Sequence, residues 1–113
     1  MSEIASTPKP PYYAVLFTAL RTEGDKGYQS MAEKMSQLAA EQPGYLGAES
    51  ARDGTDKDAI GITLSYWSSL ESIQAWKQNT EHLFAQQKGK STWYQQFKIR
   101  ISKVERDYGF TSQ

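Results

Sequence analysis

The residues able to do chemistry near neutral pH crowd into one stretch of this chain. Ser65 to Arg100 holds all three tryptophans, Trp67, Trp76 and Trp93, and the only histidine, His82. His82 is the one side chain whose unperturbed pKa suits proton exchange near neutrality. Any catalytic reading therefore passes through this segment. A lone histidine with no second ligand at fitting spacing is a poor metal site. With no cysteine in the chain, thiolate metal sites, disulfides and a cysteine nucleophile are excluded. No metal is expected.

The elements that must position these groups can be read from punctuation and periodicity. The 113 residues, 38% hydrophobic, suffice for one core, so a single small domain is expected. Residues 1–11 carry three prolines with little to bury and read as a flexible N-terminal tail. The domain then runs over 12–110, followed by a short tail at 111–113. Tyr12 to Leu20 is apolar on both alternation sets and reads as a strand buried on both faces. Tyr28, Met31, Met35, Leu38 and Ala39 recur at helical spacing, and Pro43 and Gly44 end that helix. Residues 45–52 and 59–67 read as two strands joined through Asp53 and Gly54 in an antiparallel hairpin.

Ser68 and Glu71 have the spacing of a capping box, which predicts a second helix with Leu70, Ile73 and Trp76 on its apolar stripe. Asn79 and Thr80 suggest a break and restart there, with Gly89 closing the second piece. Residues 94–104 alternate Phe97, Ile99 and Ile101 against Lys98, Arg100 and Ser102, as a half-buried strand does. The order strand, helix, strand, strand, helix, strand gives an α+β fold of the ferredoxin-like βαββαβ type, with a four-stranded antiparallel sheet and both helices on one face. The helix-free face carries apolar residues and must be hidden from water, most simply by a second copy, so a homodimer is expected.

Charge and hydropathy narrow the partners. Thirteen basic and thirteen acidic residues balance, which argues against a nucleic-acid surface or a basic membrane patch. No run approaches the apolar length of a membrane span, and the N-terminus lacks a signal-peptide pattern. The expectation is a soluble cytoplasmic protein with a small aromatic or hydrophobic ligand, and neither nucleic acid nor membrane as partner.

The run SYW, the helix ESIQAWK, then EHLFAQQKG, WYQQFKIR and the closing VERDYGF resemble small bacterial members of the antibiotic biosynthesis monooxygenase family. The likeness covers about Tyr12 to Phe110 and also includes PGYLGAESARD. It implies a dimeric α/β-barrel and one of several activities. Heme-degrading members are similar at Trp76 but place an axial histidine where this chain has Gln86. They also carry an asparagine on the first strand, where this chain has Leu16, Phe17 and Thr18. Heme binding or degradation is accordingly the less favoured branch.

The resemblance favours instead a cofactor-independent monooxygenase acting on a small aromatic, quinol-like compound with O2. An electron-rich phenol can lose a proton and react with oxygen as its anion, so the pocket binds a flat ring, stabilises charge and excludes water. On this reading His82 and Asn79 are catalytic candidates, as base and as hydrogen-bond donor to a substrate oxygen. Trp76, Trp67, Tyr66 and Phe84 line the slot, and Arg100, or else Arg52, balances an anion if it points inward. No cofactor is implied. The alternative is a non-catalytic dimeric barrel that binds a small hydrophobic ligand or a protein, with Trp76 as core packing and His82 as a surface residue.

Overall fold

The computed structural model describes residues 3–54, 59–86 and 90–112. In chain order come β1 (Tyr12–Arg21), α1 (Tyr28–Ala40), β2 (Tyr45–Arg52), β3 (Gly61–Trp67), α2 (Leu70–Gln86) and β4 (Tyr94–Val104), with a 3-10 turn at Lys90–Thr92 before β4. The strands pair antiparallel in the order β2-β3-β1-β4, which is the expected ferredoxin-like arrangement. Part of the expected β2–β3 loop (55–58) and Gly89, the expected end of the second helix, lie outside the described residues.

Local chemistry explains where the helices start. The Asp25 carboxylate accepts the N–H groups of the N-cap residue Gly27 at 2.9 Å and of Gln29 in the first turn of α1 at 3.1 Å. At α2 the cap is Ser69, whose Oγ accepts the Ser72 N–H at 3.1 Å. The expected cap, Ser68, lies one residue too early. Its own N–H is spent on the Gly44 carbonyl at 2.8 Å, which fixes it in the bend after β3. The expected break at Asn79 does not occur, and α2 runs unbroken from Leu70 to Gln86. Asn79 turns its amide inward along its own helix, donating to the Ala75 carbonyl at 3.2 Å, and also donates to Gln42 Oε1 at 3.1 Å. Both acceptors are available without ending the helix.

Directly opposed residues of an antiparallel pair share a face, so the registers sort the sheet. Tyr13, Val15, Phe17 and Ala19 of β1 stand beside Trp67, Ser65, Thr63 and Gly61 of β3, and beside Lys103, Ile101, Ile99 and Phe97 of β4. This is the helix-bearing face, because Trp67 stacks on Trp76 of α2 with centroids 6.0 Å apart. At the opposite end of that face Ala19, Met31, Phe84, Trp93 and Tyr94 form a buried cluster, joined by Phe17, Tyr28, Met35 and Phe97. Tyr12, Ala14 and Leu16 point to the other, helix-free face with Tyr66, Leu64, Ser102 and Arg100.

The two layers are joined tightly where β2 begins. Gly44 has φ +87, and a Cβ there would lie 2.1 Å from Ser72 Oγ and 2.7 Å from Ser72 Cβ. Both the left-handed backbone and the close approach of α2 require glycine. Gly44→Ala is expected to lower stability by about 2–4 kcal/mol in urea unfolding, with the same native near-UV signature if the fold survives.

Candidate functional site

Between the two aromatic clusters the helix-bearing face of the sheet is lightly covered. Its middle rows are Ser65–Val15–Ile101 and Thr63–Phe17–Ile99. Ile99 and Ile101 keep 48% and 52% of their surface exposed, and Thr63 is exposed as well. These two half-wet side chains beside a packed core make this stretch the candidate contact surface of the face. One end of this trough is closed by the Trp67–Trp76 stack, braced by Tyr45 edge-on to Trp67 at 5.5 Å. The other end is closed by Phe17, Phe97 and Phe84, with ring centroids 5.1 Å apart for Phe17–Phe97 and 6.5 Å for Phe84–Phe97.

The polar groups on this face are few and mostly hydroxyls. Trp67 Nε1 donates to Ser65 Oγ at 2.8 Å, so the fully buried indole has its partner and is fixed in rotation. Lys103 lies on the same face, opposite Tyr13 and two residues beyond Ile101, and is exposed. Among the described residues no group of three or more His, Cys, Asp or Glu could hold a metal ion.

The candidates read from the sequence do not all meet here. Trp67 and Trp76 are in contact at one end of the trough, while Phe84 is 6% exposed and belongs to the core cluster at the other. His82 is exposed. In an unbroken α2 it lies about 120° around the axis from Trp76, on the side of the helix away from the packed stripe of Ile73, Leu83 and Phe84, which are 3–6% exposed. Asn79 is exposed too, and its amide is engaged by Gln42 and Ala75. Tyr66 and Arg100 point to the helix-free face, since Tyr66 pairs with Ala14 and Arg100 with Leu16. The trough floor of Val15, Thr63, Ser65, Ile99 and Ile101 was not among the sequence candidates, nor was Lys103. Their signal is cross-strand register, which requires the strand order before it can be used.

Comparison with known proteins agrees with this architecture. The family description "Antibiotic biosynthesis monooxygenase" matches residues 11–88. A relative in Bacillus subtilis (strain 168), described as the uncharacterized protein YqjZ, is 48% identical over 106 residues, covering 94% of this chain and 90% of that one. Among solved structures, SnoaB, a cofactor-independent oxygenase from Streptomyces nogalater, is similar with TM-score 0.63 at 7% identity, covering 91% of this chain and 100% of its own. A protein from Chloroflexus aurantiacus J-10-fl, described as a putative antibiotic biosynthesis monooxygenase, aligns with TM-score 0.58 at 22% identity over 88% of this chain and 97% of its own. These structural likenesses speak to the fold.

Two phenols are held protonated well above the usual range. Burial, then the hydrogen bond to Glu49, pushes Tyr66 from 10.0 up to about 12, and its O–H donates to Glu49 Oε1 at 2.7 Å. Burial also raises Tyr94, which packs edge-on to Tyr28 at 5.9 Å, with the Arg21 guanidinium 3.5 Å above the Tyr28 ring. A pKa raised on folding stabilises the fold fully below the unfolded value, and that stability is lost as pH rises through the folded value. Chemical unfolding between about pH 10 and 12 is therefore expected to show stability falling with pH, and Tyr66→Phe should flatten part of that fall.

Proposed function

The chain belongs to the antibiotic biosynthesis monooxygenase family, and on that premise we propose that it is a cofactor-independent monooxygenase acting in the trough on a small aromatic, quinol-like compound with O2. The observation that carries this reading is the combination of a stacked indole pair at one end with the half-exposed Ile99 and Ile101 on the floor. A flat ring laid on that floor continues the aromatic stack and covers the two isoleucines, gaining apolar burial and ring contact together.

The chemistry asks little of the protein beyond this. A ring methylene flanked by carbonyl and phenol loses a proton, the resulting anion adds O2 to give a hydroperoxide, and loss of water leaves a carbonyl. In sum, CH2 and O2 give C=O and H2O. Binding on an apolar floor favours the step in which a delocalised anion meets neutral oxygen away from bulk water. Lys103 takes the charge-balancing role in this proposal, because it shares the trough face whereas Arg100 does not. The exposed His82 is left outside the reacting centre. Two copies pairing over the part of the helix-free face that the chain ends leave open, where Ile62 is exposed, in the cytoplasm, complete the proposal.

The exposure of His82 favours a second reading, in which the trough binds a small hydrophobic ligand without transforming it. Oxygen uptake with a panel of hydroquinones and anthrone-like phenols separates the two. The oxygenase reading expects turnover above background that falls at least about tenfold in Trp76→Ala, falls several-fold in Lys103→Met, and stays within about twofold in His82→Ala. Background uptake with every compound, accompanied by saturable quenching of tryptophan fluorescence, would leave the binding reading in its place.

A further inference from the structure

The helix-free face holds a second, separate constellation. Tyr12 and Ala14 lie on it, yet each is only 4% exposed, although neither helix covers this side of the sheet. For Tyr12 the polar partners come from the chain's own ends. Ala5 N–H donates to Glu49 Oε2 at 2.8 Å, and Tyr66 O–H donates to the other oxygen of the same carboxylate at 2.7 Å. Thr7 Oγ1 donates to the Tyr12 hydroxyl at 2.9 Å, and that hydroxyl donates to Asp107 Oδ2, which also lies 3.5 Å from Thr7 Oγ1. The Tyr12 and Tyr66 rings meet edge to face at 5.9 Å, so the two bonded groups stand side by side.

We propose that residues 3–11 and the segment after β4 form one latch over the helix-free face. In it Asp107 and Glu49 are the two keepers, so that opening either chain end loosens the other. The geometry supplies the coupling. Asp107 holds Tyr12, Tyr12 holds Thr7 and packs on Tyr66, and Tyr66 shares the Glu49 carboxylate with Ala5. Glu49 has its two oxygens divided between a phenol and a backbone N–H of the N-terminal segment, while Asp107 reaches that segment through the Tyr12 hydroxyl, an arrangement in which charge-assisted bonds reinforce one another. The phenols are suited to the donor role, since the hydrogen bond to Asp107 holds Tyr12 above its usual range and Tyr66 is raised as well.

The N-terminal segment also fits the sheet closely. A Cβ on Gly47 would come within 3.2 Å of the Ala5 methyl, so β2 receives the strap where it carries no side chain. The latch thereby decides whether Tyr12, Ala14 and Tyr66 face a strap or are open to another molecule. It is a conformational control on the face opposite the trough and stands independently of the reaction proposed there.

Amide hydrogen exchange on the full chain tests it. Asp107→Ala and, separately, Tyr12→Phe are expected to speed exchange at residues 3–9 by about tenfold or more while the β1–β3 ladder stays protected. Glu49→Ala should likewise lower the backbone NMR order parameters of residues 105–109, which are exposed, and Glu49→Gln, which keeps one of the two acceptor oxygens, should restore part of the order. Unchanged exchange at residues 3–9 in both Asp107→Ala and Tyr12→Phe, with the ladder intact, would overturn the latch. So would loosening confined to the mutated end, because the proposal requires the two ends to move together.

Discussion

The position of α2 over the sheet rests on Trp67. Its side chain is wholly withdrawn from water, at the end of the strand that leads directly into α2. Tyr45 meets it edge-on from β2, Trp76 stacks on it from α2, and Ser65 takes its N–H. Removing so large a buried ring costs about 3–5 kcal/mol in other cores, a large share of the stability of a domain this size. The indole contacts in turn set the closed end of the trough. Stability and the proposed binding surface therefore share one residue, and a change that loosens Trp67 would be felt in both.

The sheet divides its work between faces. On one side, packed aromatics at both ends leave a lightly covered middle with apolar floor residues and few charges. On the other, two tyrosines and two carboxylates tie down the chain ends. The division follows from pleating alone, since successive residues of a strand point to opposite sides. Charge is kept with the anchoring and at the rim: Glu49 and Arg100 lie on the helix-free side, while Lys103 stands at the end of the trough row. An apolar interior with a charge at its border suits a delocalised anion better than a buried ion pair would, because no compensated charge has to be desolvated.

Element order was legible in the sequence because each element carried a local signal. The helical spacing of Met31, Met35 and Leu38, the Pro43–Gly44 stop, the Asp53–Gly54 turn and the alternation of β4 all act over a few residues. The candidate site was less legible, for the same reason in reverse. Trp67 and Tyr66 are neighbours in the chain and opposites in the sheet, so clustering along the sequence did not mean clustering in space. Asn79 looked like a cap because asparagine favours caps, yet its amide bonds back to Ala75 and across to Gln42, which a local rule cannot anticipate. Residues 3–11 looked like a tail because they have little to bury. Their partners, Glu49 and Asp107, lie far along the chain and contribute hydrogen bonds rather than apolar area.

The strand β1 runs through the middle of this arrangement and serves both faces at alternate positions. Tyr13, Val15 and Phe17 look onto the trough, and Tyr12, Ala14 and Leu16 look onto the face of the latch. Substitutions at the odd positions can thus change the helix-bearing face while Tyr12, at an even one, keeps its bonds to the chain ends. Insertion or deletion of one residue within the strand would exchange the two sets at a stroke. Divergence in this strand has a permitted alphabet but a fixed reading frame: the residues on either face are free to drift by replacement, and the length of β1 is not.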